Sequence, residues 1–561
     1  MQNSTLQIQR FKQLPMLTLM GLATGIVTAV LIAIFNWLIE LPGLTFNLAG
    51  LAENLTELPI FWRFSLPIIG SVLLWLIWSR QESHYRRVGI THLHEHLSYK
   101  HTALPLPNLL NQLIGAALTL GTGHPVGREG PAVHLGAAIS SLLGDRFDMP
   151  ASQQRLLIGC GAAAAISALF GLPLAGILFA MEVVLLEYTI TGFIAVIVAA
   201  VSADRLTQTL FNEAVHPTAL LAEPVNFSQE IPLLLLLTLA VGLLAFMFQE
   251  LQCRTAKLRG NLLRRMLIAG VLVGSVASFF PQILLPVHLS TLGAINELFS
   301  LPQMLIFLAC YLLVTPLILG LGIPGGVIGP ALAAGGMLGA ILASLGPALQ
   351  IQTEVSNYAL IGMAAMMSAI IHAPLAALVA VFEWSSSSHI LTAAMLVIAG
   401  SELLMRGVFH RPSIFERMLT LQGQSRNTRA YRRILMSVGV TDVMSTHFSI
   451  ATDELTDEEE QLLASRNTWL LRHVDGQLEL ARGWAPPEHD AEEALSAVQL
   501  PLNGPGQWHP VAQIKERANL LQALDLMQEQ ETSLLVVTQR GNPVGVLSHA
   551  AVQAQFAAHE D

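Results

Sequence analysis

An arginine and a glutamate stand between glycines in an otherwise apolar part of the chain, at Gly127, Arg128, Glu129, Gly130 and Pro131. A charged side chain at the centre of a bilayer costs about 2.5–3.5 kcal/mol or more, so such residues suggest a functional role. Glycine lets the backbone approach another group closely, and proline fits the first turn of a helix. The pattern predicts a loop that enters a helix N-terminus, with bare N–H groups directed at an anion. The alternative is a structural contact between the two charged residues at a helix cap.

The composition is that of a polytopic membrane protein. Of 561 residues, 53% are hydrophobic and 12% are charged, against roughly 25% charged in soluble domains. From residue 421 onward there are 10 Lys and Arg and 19 Asp and Glu, which is nearly all of the net charge of −10. The acidity therefore belongs to a soluble tail, and nucleic acid is not an expected partner. The three cysteines, Cys160, Cys253 and Cys310, lie in or beside apolar runs and predict neither disulfides nor a metal site.

Apolar segments recur between residues 15 and 404, and several are shorter than the roughly 20 residues of a full span. The segment 155–186 is longer, but Gly171 and Pro173 interrupt it. Broken helices must be shielded by protein or line a cavity. The first apolar segment is predicted to be a retained transmembrane helix. The positive-inside rule places both termini in the cytoplasm, because basic residues cluster near 80–87, 254–265 and 406–417.

The two halves of the membrane part contain matching motifs. Residues 127–131 precede a Pro-Leu-Ala unit at Pro173, and Gly325–Pro330 precede another at Pro374, with proline spacings of 42 and 44. In each half an acid, Glu182 or Glu383, follows the second proline by nine residues. Such matching, proline-broken segments point to a binding site between repeats near the middle of the membrane. Chance recurrence of Gly and Pro in membrane helices is the alternative.

Two facing loops of this kind would gather helix N-termini, each with about half a positive charge, around one point. This arrangement favours a small anion without placing a full Lys or Arg charge beside it, so the ion can leave quickly. The sequence thus predicts a transporter rather than an enzyme, with no cofactor.

These residues resemble the CLC family of chloride channels and chloride/proton exchangers over about residues 16–420. Residues 127–131 match its GREGP signature, Gly326–Pro330 match its second loop with Ile328 in place of the usual Phe, and the segment 161–182 is also similar. The resemblance implies an all-α polytopic membrane domain with an inverted-topology repeat and broken helices. The expected boundaries are a transport domain at 1–420, a linker at 421–439 and a cytosolic α/β domain at 440–561.

The resemblance also implies roles for individual residues. Glu129 would be the gating glutamate, whose carboxylate occupies the anion site and leaves it when chloride or a proton arrives. Backbone amides near Gly130, Val327 and Ile328 would hold the anion, beside Arg128. The expected assembly is a homodimer with one pore per subunit in a bacterial inner membrane.

Two hydroxyl groups common in the family are absent. The family's first anion loop aligns with Val88, Gly89 and Ile90, where valine replaces a serine. Phe415 replaces a tyrosine near the end of the membrane domain. Both positions are still expected at the anion site, with coordination mostly by backbone amides and weaker discrimination among anions.

A third departure concerns protons. The inner glutamate of the family's exchangers aligns with Val183, which cannot relay a proton, whereas the neighbouring Glu182 is expected to be structural. This favours passive chloride conductance; a chloride/proton antiporter is the alternative, and a regulatory sensor with a vestigial transport domain is a second one. His134 and His372 could titrate near neutral pH, although a histidine in a packed helix is usually structural.

The tail resembles a tandem pair of CBS modules. A helix at 519–528 and strands at 533–537 and 544–547 form the clearer copy, and 484–506 is expected to be a linker. Such pairs often bind adenine nucleotides through a hydroxyl residue and an Asp three residues later. Here Ser548 is followed by Ala551, so a structural cap that stabilises a dimer is preferred to nucleotide binding.

Overall fold

The computed structural model describes residues 2–45, 55–99, 104–187, 190–211, 226–258, 260–423, 435, 438–450, 469–474, 477–482, 509–530, 532–539 and 541–552. The chain divides into two units. The first holds residues 1–97, 102–146 and 155–426, and the second holds 98–101, 147–154 and 427–561. Most of the predicted linker 421–439 and all of 484–506 lie outside the described residues.

The first unit is helical, and eight of its described helices are long and apolar enough to cross a membrane. Helix α9 (Phe227–Ala256) shows the burial pattern expected in lipid, with Leu235, Leu239 and Leu243 exposed and Leu234 and Val241 buried. The exposed face of this helix is apolar, whereas a surface helix of a soluble protein exposes a polar face. This is a multi-pass integral membrane protein.

The described helices form two successive series of eight. The first series is α1 (Gln2–Thr45), α2 (Ile60–Ser79), α3 (Gly89–Tyr99), α4 (Leu106–Gly121), α5 (Glu129–Arg146), α6 (Ala151–Phe170), α7 (Pro173–Phe179) and α8 (Ile190–Phe211). The second is α9, α10 (Leu262–Phe279), α11 (Val287–Ile295), α12 (Leu301–Leu321), α13 (Ile328–Ala343), α14 (Val355–Ile371), α15 (Pro374–Ser385) and α16 (Leu391–Leu403). Helix α17 (Ile414–Leu421) ends the unit, and π-helical turns follow α7 at Ala180–Leu185 and α16 at Leu404–Val408.

The predicted break in the segment 155–186 is present, since α6 ends at Phe170 and α7 begins at Pro173. Helices α3 and α11 were not predicted. Helix α3 is short and rich in histidine, and α11 has only nine residues, so neither has the long apolar run by which a membrane helix is recognised.

Glycines form the same close helix crossing in each half. A Cβ atom on Gly136 of α5 would lie 2.2 Å from the carbonyl oxygen of Gly161 on α6. In the second half, a Cβ on Gly335 of α13 would lie 2.2 Å from the carbonyl oxygen of Gly362 on α14. Small residues allow membrane helices to pack this closely, and dispersion contacts then stabilise the pair.

Each half also supplies a carboxylate to a helix N-terminus of the other half. Glu182 accepts hydrogen bonds from Leu375 N (3.2 Å) and Ala376 N (2.9 Å), in the first turn of α15. Glu383 accepts from Leu174 N (3.0 Å) and Ala175 N (2.8 Å), in the first turn of α7. Both acids therefore satisfy N–H groups that a helix leaves without partners and complement its positive end.

The second unit contains two similar strand arrangements. One sheet has the order β1 (Phe448–Ile450), β2 (Trp469–Val474), β3 (Gln477–Arg482), β4 (His509–Pro510), and the other has β5 (Ala512–Lys515), β6 (Leu534–Gln539), β7 (Asn542–Ser548). In both, a parallel pair is followed by an antiparallel pair: β1–β2 then β2–β3, and β5–β6 then β6–β7. Helix α18 (Val440–Val443) precedes the first sheet, and α19 (Leu520–Glu529) joins β5 to β6. The predicted helix and two strands of the clearer copy are thus present.

We predict that G136A and G335A each destabilise the protein by about 1–3 kcal/mol, because the added methyl group collides with backbone and forces the helices apart. The measurement is the thermal unfolding midpoint of the purified protein in detergent. The control is G260A, whose added Cβ would meet nothing nearer than 3.9 Å. Unchanged midpoints for both core variants would show that the crossings tolerate a methyl group.

We predict that E182A and E383A each lower the free energy of unfolding by about 0.5–2 kcal/mol, the usual range for loss of a helix cap. Glutamine should restore part of the loss because its carbonyl oxygen still accepts a hydrogen bond. Glu354 provides the control: it is exposed and precedes α14, but its side chain makes no capping hydrogen bond. If E354A lowered stability as much as E182A, the cross-half hydrogen bonds would not be the cause.

Candidate anion site

The two glycine loops lie against each other as a short antiparallel bridge. Gly127 N donates to Gly326 O (2.9 Å), and Gly326 N donates to Gly127 O (2.7 Å). A Cβ atom on Gly130 would lie 2.9 Å from Gly326 Cα, so a side chain there would separate the loops. The equivalent residues of the two repeats thus meet in one buried place.

Glu129 is the first residue of α5, and its side chain is almost fully buried, with 1% of the residue exposed. Its Oε2 accepts a hydrogen bond of 3.0 Å from Gly329 N, in the first turn of α13. A Cβ at Gly329 would lie 2.7 Å from the same oxygen. The carboxylate therefore occupies the N-terminal end of a helix from the other repeat, a place suited to an anion.

Threonine hydroxyl groups join the proline that precedes each loop to the opposite half. Thr119 Oγ1 on α4 donates to Pro324 O (2.8 Å), and Thr315 Oγ1 on α12 donates to Pro125 O (2.6 Å). Sequence reasoning missed this pair. Their signal was available: each threonine lies near the end of the helix that leads into its own glycine loop.

The site has two positive helix ends. Helix α5 begins at Glu129, and α13 begins at Ile328 after Val327; each end contributes about half a positive charge. Val327 and Ile328, predicted to contact an anion, are both buried there, and Arg128 is partly buried. The arrangement can hold one small anion, which is the Glu129 carboxylate in this structure.

The other positions inferred from family resemblance gather around α3. Gly89 begins α3 with a positive φ of 79°, Ile90 is buried and Val88 precedes them. His94 of α3 lies with its ring 5.7 Å from that of Phe415, edge to face. His94 Nε2 is also 2.7 Å from the carbonyl oxygen of Val183.

The histidines of α3 were not singled out from the sequence. His92 Nδ1 lies 3.0 Å from His134 Nε2, so a predicted titratable residue has an imidazole partner. His372 is the other histidine expected to titrate near neutral pH. It lies between Glu402 Oε2 (2.6 Å from Nδ1) and Arg411 O (3.0 Å from Nε2). The available signal was three histidines within five residues, His92, His94 and His96, in a chain with only 12% charged residues.

The chain is similar to curated bacterial transporters. It is 27% identical over 347 residues to the H(+)/Cl(-) exchange transporter ClcA of Citrobacter koseri, covering 58% of this chain and 72% of that one. It is 29% identical over 341 residues to the protein of that name from Yersinia pestis, covering 56% of this chain and 70% of that one.

Solved structures have the same fold. A slow cyanobacterial Cl-/H+ antiporter aligns with a TM-score of 0.63 at 21% identity, over 74% of this chain and 99% of its own. A eukaryotic CLC transporter aligns with a TM-score of 0.59 at 18% identity, over 98% of both chains. The family model described as voltage gated chloride channel matches residues 70–406, more than half of the sequence. The chain therefore belongs to the voltage-gated chloride channel family, which is the CLC family.

Proposed function

We propose that this protein transports chloride across the membrane between its two repeats and that Glu129 is the movable gate. The observation that carries the proposal is the hydrogen bond from Gly329 N to the buried Glu129 carboxylate. A carboxylate in that place is a tethered anion, so chloride and Glu129 compete for the same helix end. Protonation of Glu129 removes its charge and frees the place.

The anion is held by backbone amide groups near Gly130, Val327 and Ile328, in the partly positive surroundings of the two helix ends. Binding by partial charges is weak enough for the ion to leave, which a transporter needs. Val88, Gly89, Ile90 and Phe415 form the next part of the path, near Val183.

For the mode of transport we propose exchange of chloride for protons. The similar curated proteins are named as H(+)/Cl(-) exchange transporters, and a carboxylate that leaves an anion site in its protonated form can carry a proton. Passive conductance is the second candidate, supported by the apolar Val183 at the position of the inner glutamate. A sensor with a vestigial transport domain would conduct nothing, and the closely joined glycine loops argue against it.

We propose that residues 440–561 form a CBS-like pair in the cytoplasm and that the protein is a homodimer in a bacterial inner membrane. The two matching strand arrangements support the pair. Ser548 Oγ accepts a hydrogen bond from Ala551 N (3.2 Å), so that hydroxyl caps its own turn, and a structural role is preferred to adenine nucleotide binding.

We predict that purified protein in liposomes moves protons against their gradient when a chloride gradient is imposed. A chloride electrode and a pH electrode record both fluxes at once. Chloride movement without uphill proton movement would establish passive conductance instead. The absence of both fluxes from folded protein would favour the sensor hypothesis.

We predict that E129A transports chloride without proton coupling and with little dependence on pH, because no carboxylate can then occupy the anion site. E129Q should behave similarly, since an amide carries no charge to titrate. E354A removes an exposed acid outside the site and should match the natural protein. Unchanged coupling in E129A would show that Glu129 is not the gate.

A further inference from the structure

Four buried histidines lie on or against α3: His92, His94 and His96 belong to α3 itself, and His134 of α5 contacts the ring of His92. None of the four residues is more than 6% exposed. In the described part of the chain, no group of three or more His, Cys, Asp or Glu side chains is placed to hold a metal ion. Polar groups buried in a membrane protein are costly and usually functional.

The contact of His94 with Val183 determines which ring nitrogen can exchange a proton. A carbonyl oxygen can only accept, so His94 Nε2, 2.7 Å from Val183 O, must carry a hydrogen. Proton uptake and release then fall to Nδ1. A titratable ring is thus fixed beside the valine that interrupts the proton route, and against Phe415 of the anion path.

A second imidazole contact links this helix to the one that begins with Glu129. His92 Nδ1 and His134 Nε2 are 3.0 Å apart, so one ring donates and the other accepts. His134 Nδ1 is buried and has no hydrogen-bond partner among the described residues. Leaving such an atom unsatisfied destabilises the fold, and a functional need explains why it is kept. His134 lies five residues after Glu129, about 7.5 Å along the axis of α5.

Other buried histidines of this unit differ. His124 Nδ1 lies 3.1 Å from Thr119 O, and its Nε2 lies 3.1 Å from Ser71 Oγ. His372 is likewise bonded at both nitrogens. Those rings have the contacts of structural histidines, whereas His92 and His134 share a ring-to-ring hydrogen bond, and His134 Nδ1 has no hydrogen-bond partner among the described residues.

We propose that the imidazole of His94 is the inner proton-transfer group of this protein, in place of a carboxylate at Val183. This inference rests on the proposed exchange of chloride for protons. The Nδ1 lone pair takes a proton from a hydronium ion of the solution, which becomes water, and the ring becomes an imidazolium while Nε2–H stays on Val183 O. Release of the Nδ1 proton toward Glu129 restores the neutral ring, so charge and atoms balance.

The charged and titratable groups along α3 belong to several elements. On α3 these are His92, His96 and Glu95, which pairs with Arg87. From α5 comes His134, and from α6 comes Arg155, which donates to Leu97 O (3.2 Å) and pairs with Glu187 (3.1 Å). Glu95 and Glu187 are thus each paired with an arginine.

The test compares the natural protein, H94Q and a double variant, H94Q with V183E, in the liposome assay. Glutamine can still donate to Val183 O but cannot take up a proton. We expect H94Q to move chloride with a proton-to-chloride ratio at least 10-fold lower than that of the natural protein. The double variant should regain coupling, because a carboxylate at position 183 supplies the missing group. The exposed His389 gives the control H389Q, whose ratio should be unchanged.

Coupling by H94Q at the natural ratio would overturn the assignment of His94 and leave the exchange itself intact. Loss of both fluxes from folded H94Q would also overturn it, because His94 would then serve the anion path or the fold. If the natural protein moved no protons, the proposed exchange would be wrong, and the role of His94, which depends on it, would be wrong too. If H94Q does not fold, the smaller H94N is assayed and judged by the same ratios.

Discussion

The site depends on one interaction, in which an N–H group at the start of α13 meets the carboxylate of Glu129 at the start of α5. Helix ends expose N–H groups that need an acceptor and carry partial positive charge. Burial removes water as the acceptor, so an anion must be present or the N–H groups remain unsatisfied. The glycines at 127, 130, 326 and 329 follow from this requirement, because a Cβ on any of them would meet the opposite loop or the carboxylate.

The two halves complete each other's helix ends and loops, and this explains how the loops are held in register. Glu182 accepts a hydrogen bond from the first turn of α15, and Glu383 accepts one from the first turn of α7. Thr119 and Thr315 donate to the proline carbonyl oxygens of the opposite loops. A half without its partner would leave all these donors or acceptors unsatisfied in an apolar environment, at about 1–3 kcal/mol each. The anion site is therefore a property of the paired halves, and its geometry is fixed by hydrogen bonds outside the site itself.

The sequence predicts the broken helices and the repeated loops because these leave local signals: glycine, proline and apolar length. It cannot predict which N–H groups Glu182 and Glu383 reach, since the same spacing would serve a contact within one half. Helix α3 lacks the apolar length of a span, so no local signal in the sequence places its imidazoles, whereas the structure places His94 beside Val183. The histidines carry a compositional signal, but only the packing of α3 shows which ring contacts which backbone.

The repeats match in their glycines, threonines and capping acids, but not at the proposed gate, where Ile328 has the position in the second loop that Glu129 has in the first. This difference has a physical reason. Two carboxylates brought to one buried place would repel each other, and one of them would remain protonated. One acid and one isoleucine leave a single titratable group at a symmetric pair of helix ends. If Glu129 is the gate proposed above, a symmetric scaffold provides the anion site, and one asymmetric residue decides whether the protein or the ion fills it.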